Sequence, residues 1–229
     1  TLTLAVRDAA GNLLGAGGLS VAFVKGDGTS DGVIGAVTDV GDGTYTAWFR
    51  ATTAGSARVI GATIGGDSIT PDTVARVTVR AGAISPETST LTIGSDTVIA
   101  GDTTSLVLTA RDAAGNLLGA GGATVVFTKG SGTADGSISA VTDVGDGTYR
   151  AVFTALTTGT PRAFGVTIGG VAGLMTAPTV VVRPGRFSRA LSTMIPARDT
   201  IRAGEALALT YVTRDSLGNA RDAGGLNVR

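Results

Sequence analysis

The stretch VTDVGDGTYRAVFTA, Val141–Ala155, decides how the rest of this chain is read. Its second half alternates: Tyr149, Ala151 and Phe153 share one side, and Thr148, Arg150 and Val152 share the other. A period of two belongs to a strand, because successive side chains leave a pleated backbone on opposite faces. Its first half, DVGDG, is turn chemistry. Aspartate bonds the backbone two residues on, and glycine accepts a positive φ at no steric cost. A tight turn therefore feeds an amphipathic strand.

The same nine residues, VTDVGDGTY, occur at Val37–Tyr45 and at Val141–Tyr149. Extended without gaps, residues 1–66 match residues 105–170 at 44 of 66 positions. A third copy begins later, where Ser89–Asn116 matches Ser192–Asn219 at an offset of 103. A fixed period of this size marks a tandem array of one structural unit. The expected division is 1–82, a domain lacking its first strand; 83–185, a complete domain; and 186–229, the N-terminal part of a third. On this reading the 229 residues are a window onto a longer array.

Within the complete unit the other apolar runs also alternate. They are Leu106/Leu108/Ala110, Val125/Phe127, Phe164/Val166/Ile168 and Val180/Val182. No segment keeps a 3.6-residue apolar stripe, and DAAGN, GAGG, KGSG and IGG punctuate the runs. About seven short strands per unit predict an all-β fold of two antiparallel sheets packed face to face with Greek-key links, repeated in tandem. Junctions such as Val182-Arg183-Pro184-Gly185-Arg186 are short. They predict a semi-rigid rod, each unit adding on the order of 30–40 Å.

Composition removes several classes of function. There is no cysteine and no histidine, so disulfides, thiol nucleophiles, imidazole bases and Cys/His metal sites are excluded. Lys+Arg and Asp+Glu are both 18, which argues against nucleic acid or an anionic membrane as partner. No apolar run is long enough to span a bilayer. The residues from Thr1 onward open with no Met, basic n-region or apolar h-region, so they read as no signal peptide. There is no G-x-S-x-G, phosphate loop or dinucleotide fingerprint, and the acids sit in turns common to both copies, so no enzyme is expected.

The segments xxDTVIAGD, RDAAGNLL, VVFTKG, VTDVGDGTYRAVFTA and GTPRAFGVTIGG together resemble the bacterial immunoglobulin-like domains of invasin/intimin-type surface proteins. The resemblance is to the invasin domain-three type, and more distantly, through GDGTY and TIGG, to filamin-type repeats. It covers the complete unit and the parts of the other two. It implies an exported, multi-domain bacterial protein at the cell surface, in which such modules are spacers or adhesive units. It carries over no binding residues, because invasin's receptor site belongs to terminal domains.

Two candidate chemistries stand out. Asp39, Asp42, Asp143 and Asp146 in DVGDG, with Asp8, Asp112 and Asp215 before the Gly-Asn turns, offer carboxylates for Ca²⁺ at module junctions. The first reading is turn support; calcium is the second, and no cofactor is otherwise implied. Asp27 and Asp31 add acids in copy one, where position 131 of copy two is serine. Lys25 and Lys129, the only lysines, recur at equivalent positions, as do Asn12 and Asn116. A Lys–Asn isopeptide link is set against a strand-end lysine and a left-handed turn asparagine. Trp48, aligned with Val152, is expected on an outer face.

The function expected is a structural or adhesive stalk of an extracellular protein. Its partners are the neighbouring domains of the same chain and, further off, surface proteins or glycans. The alternatives are a subunit of a head-to-tail filament or surface layer, and a carbohydrate-binding accessory module, which would need an exposed aromatic strip.

Overall fold

Alternation in the sequence becomes two facing sheets in a computed structural model, which describes residues 1–69, 75–173 and 176–226. Among the described residues there is no helix, and so none long and apolar enough to cross a membrane. The chain groups into two units. One is Thr1–Ala83 with Asp112–Leu117; the other is Ile84–Arg111 with Leu118–Arg229.

The second unit contains the complete repeat. One sheet runs in the order Thr90–Ile93, Thr103–Thr109, Thr148–Thr157, Asp135–Ile138, with Thr142–Asp143 also paired to Thr148–Thr157. The other runs Thr97–Ile99, Thr179–Arg183, Arg162–Ile168, Val125–Lys129. Register places Leu106 opposite Ala151 and Leu108 opposite Tyr149, so each strand turns its apolar face the same way. Leu91, Leu106, Leu108, Tyr149 and Phe153 from the first sheet meet Val98, Phe164, Val166, Val180 and Val182 from the second in one buried cluster. Phe153 and Phe164 bridge the sheets edge to face, with ring centroids 4.9 Å apart at 68°. Tyr149 is fully buried, and its hydroxyl accepts the Ala123 N–H at 2.9 Å, so the ring is buried without an unpaired polar tip.

The turn before Tyr149 depends on glycine. Gly147 has φ +85°, and a Cβ there would collide with the Leu118 carbonyl. Only glycine provides both that dihedral and that close approach.

Two features depart from a purely antiparallel sandwich. The first segment of the repeat is shared between sheets: Thr90–Ile93 pairs antiparallel with Thr103–Thr109, then Thr97–Ile99 pairs parallel with Thr179–Arg183. Between them the Ser95 N–H donates to the Thr104 hydroxyl, whose own proton goes back to the Ser95 carbonyl. Those bonds hold the crossing of one short chain from sheet to sheet.

The second departure lies in the first unit. The strand that runs unbroken from Thr148 to Thr157 is divided there into Thr44–Ala47 and Phe49–Thr53, with Trp48 at the break. In the complete repeat the Ser139 hydroxyl accepts the Val152 N–H. The first copy has Gly35 at that place, with no hydroxyl, and the Trp48 indole lies where a side chain of residue 35 would be.

The first unit also keeps an open groove of about 430 Å³ lined by Leu2, Leu4, Phe23, Ile60, Ala62 and Val77. In the complete repeat Leu91 and Val98 pack over the equivalent core, and Leu106 and Leu108 are wholly buried; Leu2 and Leu4 are half-buried. In the third copy Phe187–Pro196 pairs antiparallel with Leu209–Asp215.

Candidate functional site

The DVGDG aspartates are engaged by backbone. Asp143 accepts the Gly122 N–H at 2.6 Å and the Gly145 N–H at 2.9 Å, and Asp146 accepts the Thr148 N–H at 2.9 Å. Asp39 and Asp42 repeat this with Gly18, Gly41 and Thr44. Bonds from Thr148 hold the Asp146 carboxyl below its ordinary pKa. Asp143 therefore ties two loops together across 21 residues, and Asp39 does the same in copy one. Among the described residues no three His, Cys, Asp or Glu side chains converge to hold a metal ion.

Lys129 is engaged within its own repeat. Its Nζ donates to Asp135 at 2.7 Å and to the Gly136 carbonyl at 3.0 Å, and Lys25 pairs likewise with Asp31 and Gly32. Lys129 is the foremost cause of the lowered Asp135 pKa, as Lys25 is for Asp31. Both pairs are solvent-exposed, where such pairs contribute little stability. The lysine-to-acid spacing of six in both copies was the signal for this contact. Trp48 is 53% exposed, as its parity requires.

The asparagines differ from expectation. Among the described residues only glycines have positive φ, so Asn12 and Asn116 are not left-handed; Gly11 and Gly115 take that role, at φ +86° and +83°. What frees the asparagine is its side chain. In the first unit, Asn116 Oδ1 accepts the Ala54 N–H at 2.9 Å while its Nδ2 donates to the Thr52 carbonyl at 3.0 Å. An amide that takes the carbonyl of one residue and the N–H two residues on behaves like a residue of a parallel neighbouring strand. It thereby caps the far end of the Phe49–Thr53 strand. Asp112, 5% exposed, holds Asn116 Nδ2 at 2.9 Å and also accepts the Gly82 N–H at 2.8 Å.

The second unit repeats the device with the third copy. Asn219 Oδ1 accepts the Thr158 N–H at 3.0 Å, and its Nδ2 donates to the Leu156 carbonyl at 2.9 Å. Asp215, fully buried, accepts the Gly185 N–H at 2.8 Å. Arg221 donates to the Gly185 carbonyl at 2.9 Å. The Asp and Asn of each loop were visible in the sequence as turn residues; their reach to another repeat was not.

Electrostatics follow the hydrogen bonds. The Gly82 N–H, then the Asn116 amide, bring the Asp112 carboxyl down to about 2. Burial pushes Asp215 up, but Gly185, Asn219 and Leu217 outweigh it and its pKa is lowered overall. A folded pKa below the unfolded value gives stability that is fully present above the unfolded value, 3.8, and is lost as pH falls through about 2. The Gly82 amide is thus expected to stay protected from exchange at pH 4 and to lose protection towards pH 2. A carboxyl resonance of Asp112 titrating near 4 would contradict this.

Known proteins share the fold. FdeC, an Escherichia coli adhesin, superposes with a TM-score of 0.56 at 26% identity, over 94% of this chain and 68% of its own. Yersinia pseudotuberculosis InvD does so at 0.54 and 25%, over 95% of this chain and 65% of its own. Invasin, a bacterial integrin-binding protein, shares the fold at 0.52 and 21% identity, and this chain spans 43% of it. No curated protein sequence matches significantly. The family model described as invasin, domain 3, matches twice in succession, over residues 1–82 and 85–184. With both its matched repeats built on that pattern, the chain belongs to the invasin domain 3 family.

Proposed function

We propose that this chain is a stalk segment of a bacterial surface adhesin, a run of immunoglobulin-like repeats that spaces and presents a distal binding part. Export, cell-surface placement and division into domains at 82/83 and 185/186 belong to this reading. The observation that carries it is the tie between successive repeats. A five-residue junction, Val182–Arg186, is bridged by the Asp215 and Asn219 bonds to Gly185, Leu156 and Thr158, so the third copy is fastened to the repeat before it. FdeC, an adhesin, supports the same role. An accessory glycan module is disfavoured, since Trp48 is the one exposed aromatic side chain among the described residues.

The test is an extended chain in which residues 83–207 are joined ahead of Thr1. Residues 208 and 1 are equivalent in the repeat, so the join keeps register. Solution scattering should show the maximum dimension rising by on the order of 30–40 Å. An unchanged dimension would exclude a spacer. The reading includes no cofactor, the DVGDG carboxylates being engaged by backbone N–H groups. Melting curves with millimolar calcium and with chelator should superimpose; a calcium-dependent rise would assign these loops to the metal instead.

A further inference from the structure

We propose that the Asp8–Asn12 loop is a docking surface whose occupant is the far end of a preceding repeat of this same kind in the same polypeptide. The proposal rests on the tandem reading above and names the contact by which a repeat recognises its neighbour.

Three loops of the chain carry Asp-x-x-x-Asn, and all three have the same internal bonds. Asp8 Oδ1 accepts the N–H groups of Ala10 and Asn12 at 2.9 Å each, as Asp112 does those of Ala114 and Asn116, and Asp215 those of Leu217 and Asn219. The amide nitrogen of the asparagine reaches the same aspartate in each loop. The loops are therefore built alike whether or not anything is docked.

They differ in what they hold. Asn116 and Asn219 each take a carbonyl and the N–H two residues on at the end of a strand, and Asp112 and Asp215 each take a glycine N–H from a junction. Among the described residues none of these outer bonds has a counterpart at Asp8 and Asn12, and both side chains are exposed. Two occupied copies define the ligand for the third: one strand-end carbonyl, one N–H two residues further, and one junction N–H.

Every group held is main chain. Leu156 stands where the first copy has Thr52, and Thr158 where it has Ala54, yet the equivalent positions receive the same bonds. The clasp thus demands aspartate and asparagine from the following repeat and only a strand end of the right geometry from the preceding one. Backbone groups left unpaired in a shielded junction are costly, so the side-chain amide satisfies what the strand cannot.

The extended chain described above supplies a preceding repeat. With ¹⁵N confined to the added segment, the amide of its Thr158 is the probe. Protection of that amide is expected to match that of Thr158 in the unextended chain, where Asn219 holds it. Asn12→Ala should speed its exchange about tenfold, while the same substitution in the unextended chain leaves the exchange of Thr158, held there by Asn219, unchanged. Asn219→Ala in the unextended chain serves as the reference for loss of the bond. An added Thr158 amide that exchanges freely, or one indifferent to Asn12→Ala, would overturn the proposal. This readout is separate from the scattering dimension: a chain that lengthens without protecting the amide keeps the stalk and loses the clasp.

Discussion

Phe153→Ala is expected to cost about 3–5 kcal/mol in the second unit. Phe153 is wholly buried and meets Phe164 edge to face across the two sheets. Truncation removes apolar transfer energy and leaves a cavity that the surrounding sheets, fixed by their ladders, cannot close. The melting temperature of that unit should fall by at least about 6 °C. Val152→Ala is the control. Its neighbour on the same strand points outward and is 42% exposed, so its loss should stay within about 0.5 kcal/mol. Equal losses for the two would show that the parity of the strand is wrong.

Gly147→Ala is the second large effect, through the backbone. At φ +85° an L-residue pays about 1–2 kcal/mol, and the new methyl meets the Leu118 carbonyl. Gly145→Ala separates the two contributions. Gly145 has φ +87° but nothing within 4 Å of where its Cβ would be. Chemical denaturation should place Gly145→Ala at the dihedral cost alone and Gly147→Ala at least about 1 kcal/mol beyond it. Equal values would mean that the 118 loop yields freely.

Much of this was legible from residues. Tyr149, Ala151 and Phe153 alternate in the sequence and are buried in the structure, and Phe164, Val166 and Ile168 do the same. The three copies are marked by the internal repeat in the residues themselves. The aspartates of DVGDG were read as turn support, and each does bond the backbone two residues on.

Other features were not legible, for identifiable reasons. The parallel pairing of Thr97–Ile99 with Thr179–Arg183 joins segments some eighty residues apart, and a three-residue strand has no period of its own. The break at Trp48 coincides with two differences from the complete repeat, Trp48 for Val152 and Gly35 for Ser139, the latter at a position that looks like loop. The asparagine clasp was misread as a left-handed turn because its partners are backbone groups about sixty residues away, and a backbone group leaves no mark in a sequence.

The sequence by itself determined the repeating unit, its strands and which of their faces turn inward, because apolar burial on a pleated backbone is written in a period of two. Tertiary structure alone decided which loop side chains reach beyond their own turn. Asp112 and Asp215 carry the same local Asx bonds as Asp8, and only the strand end lying against them converts a turn into a junction.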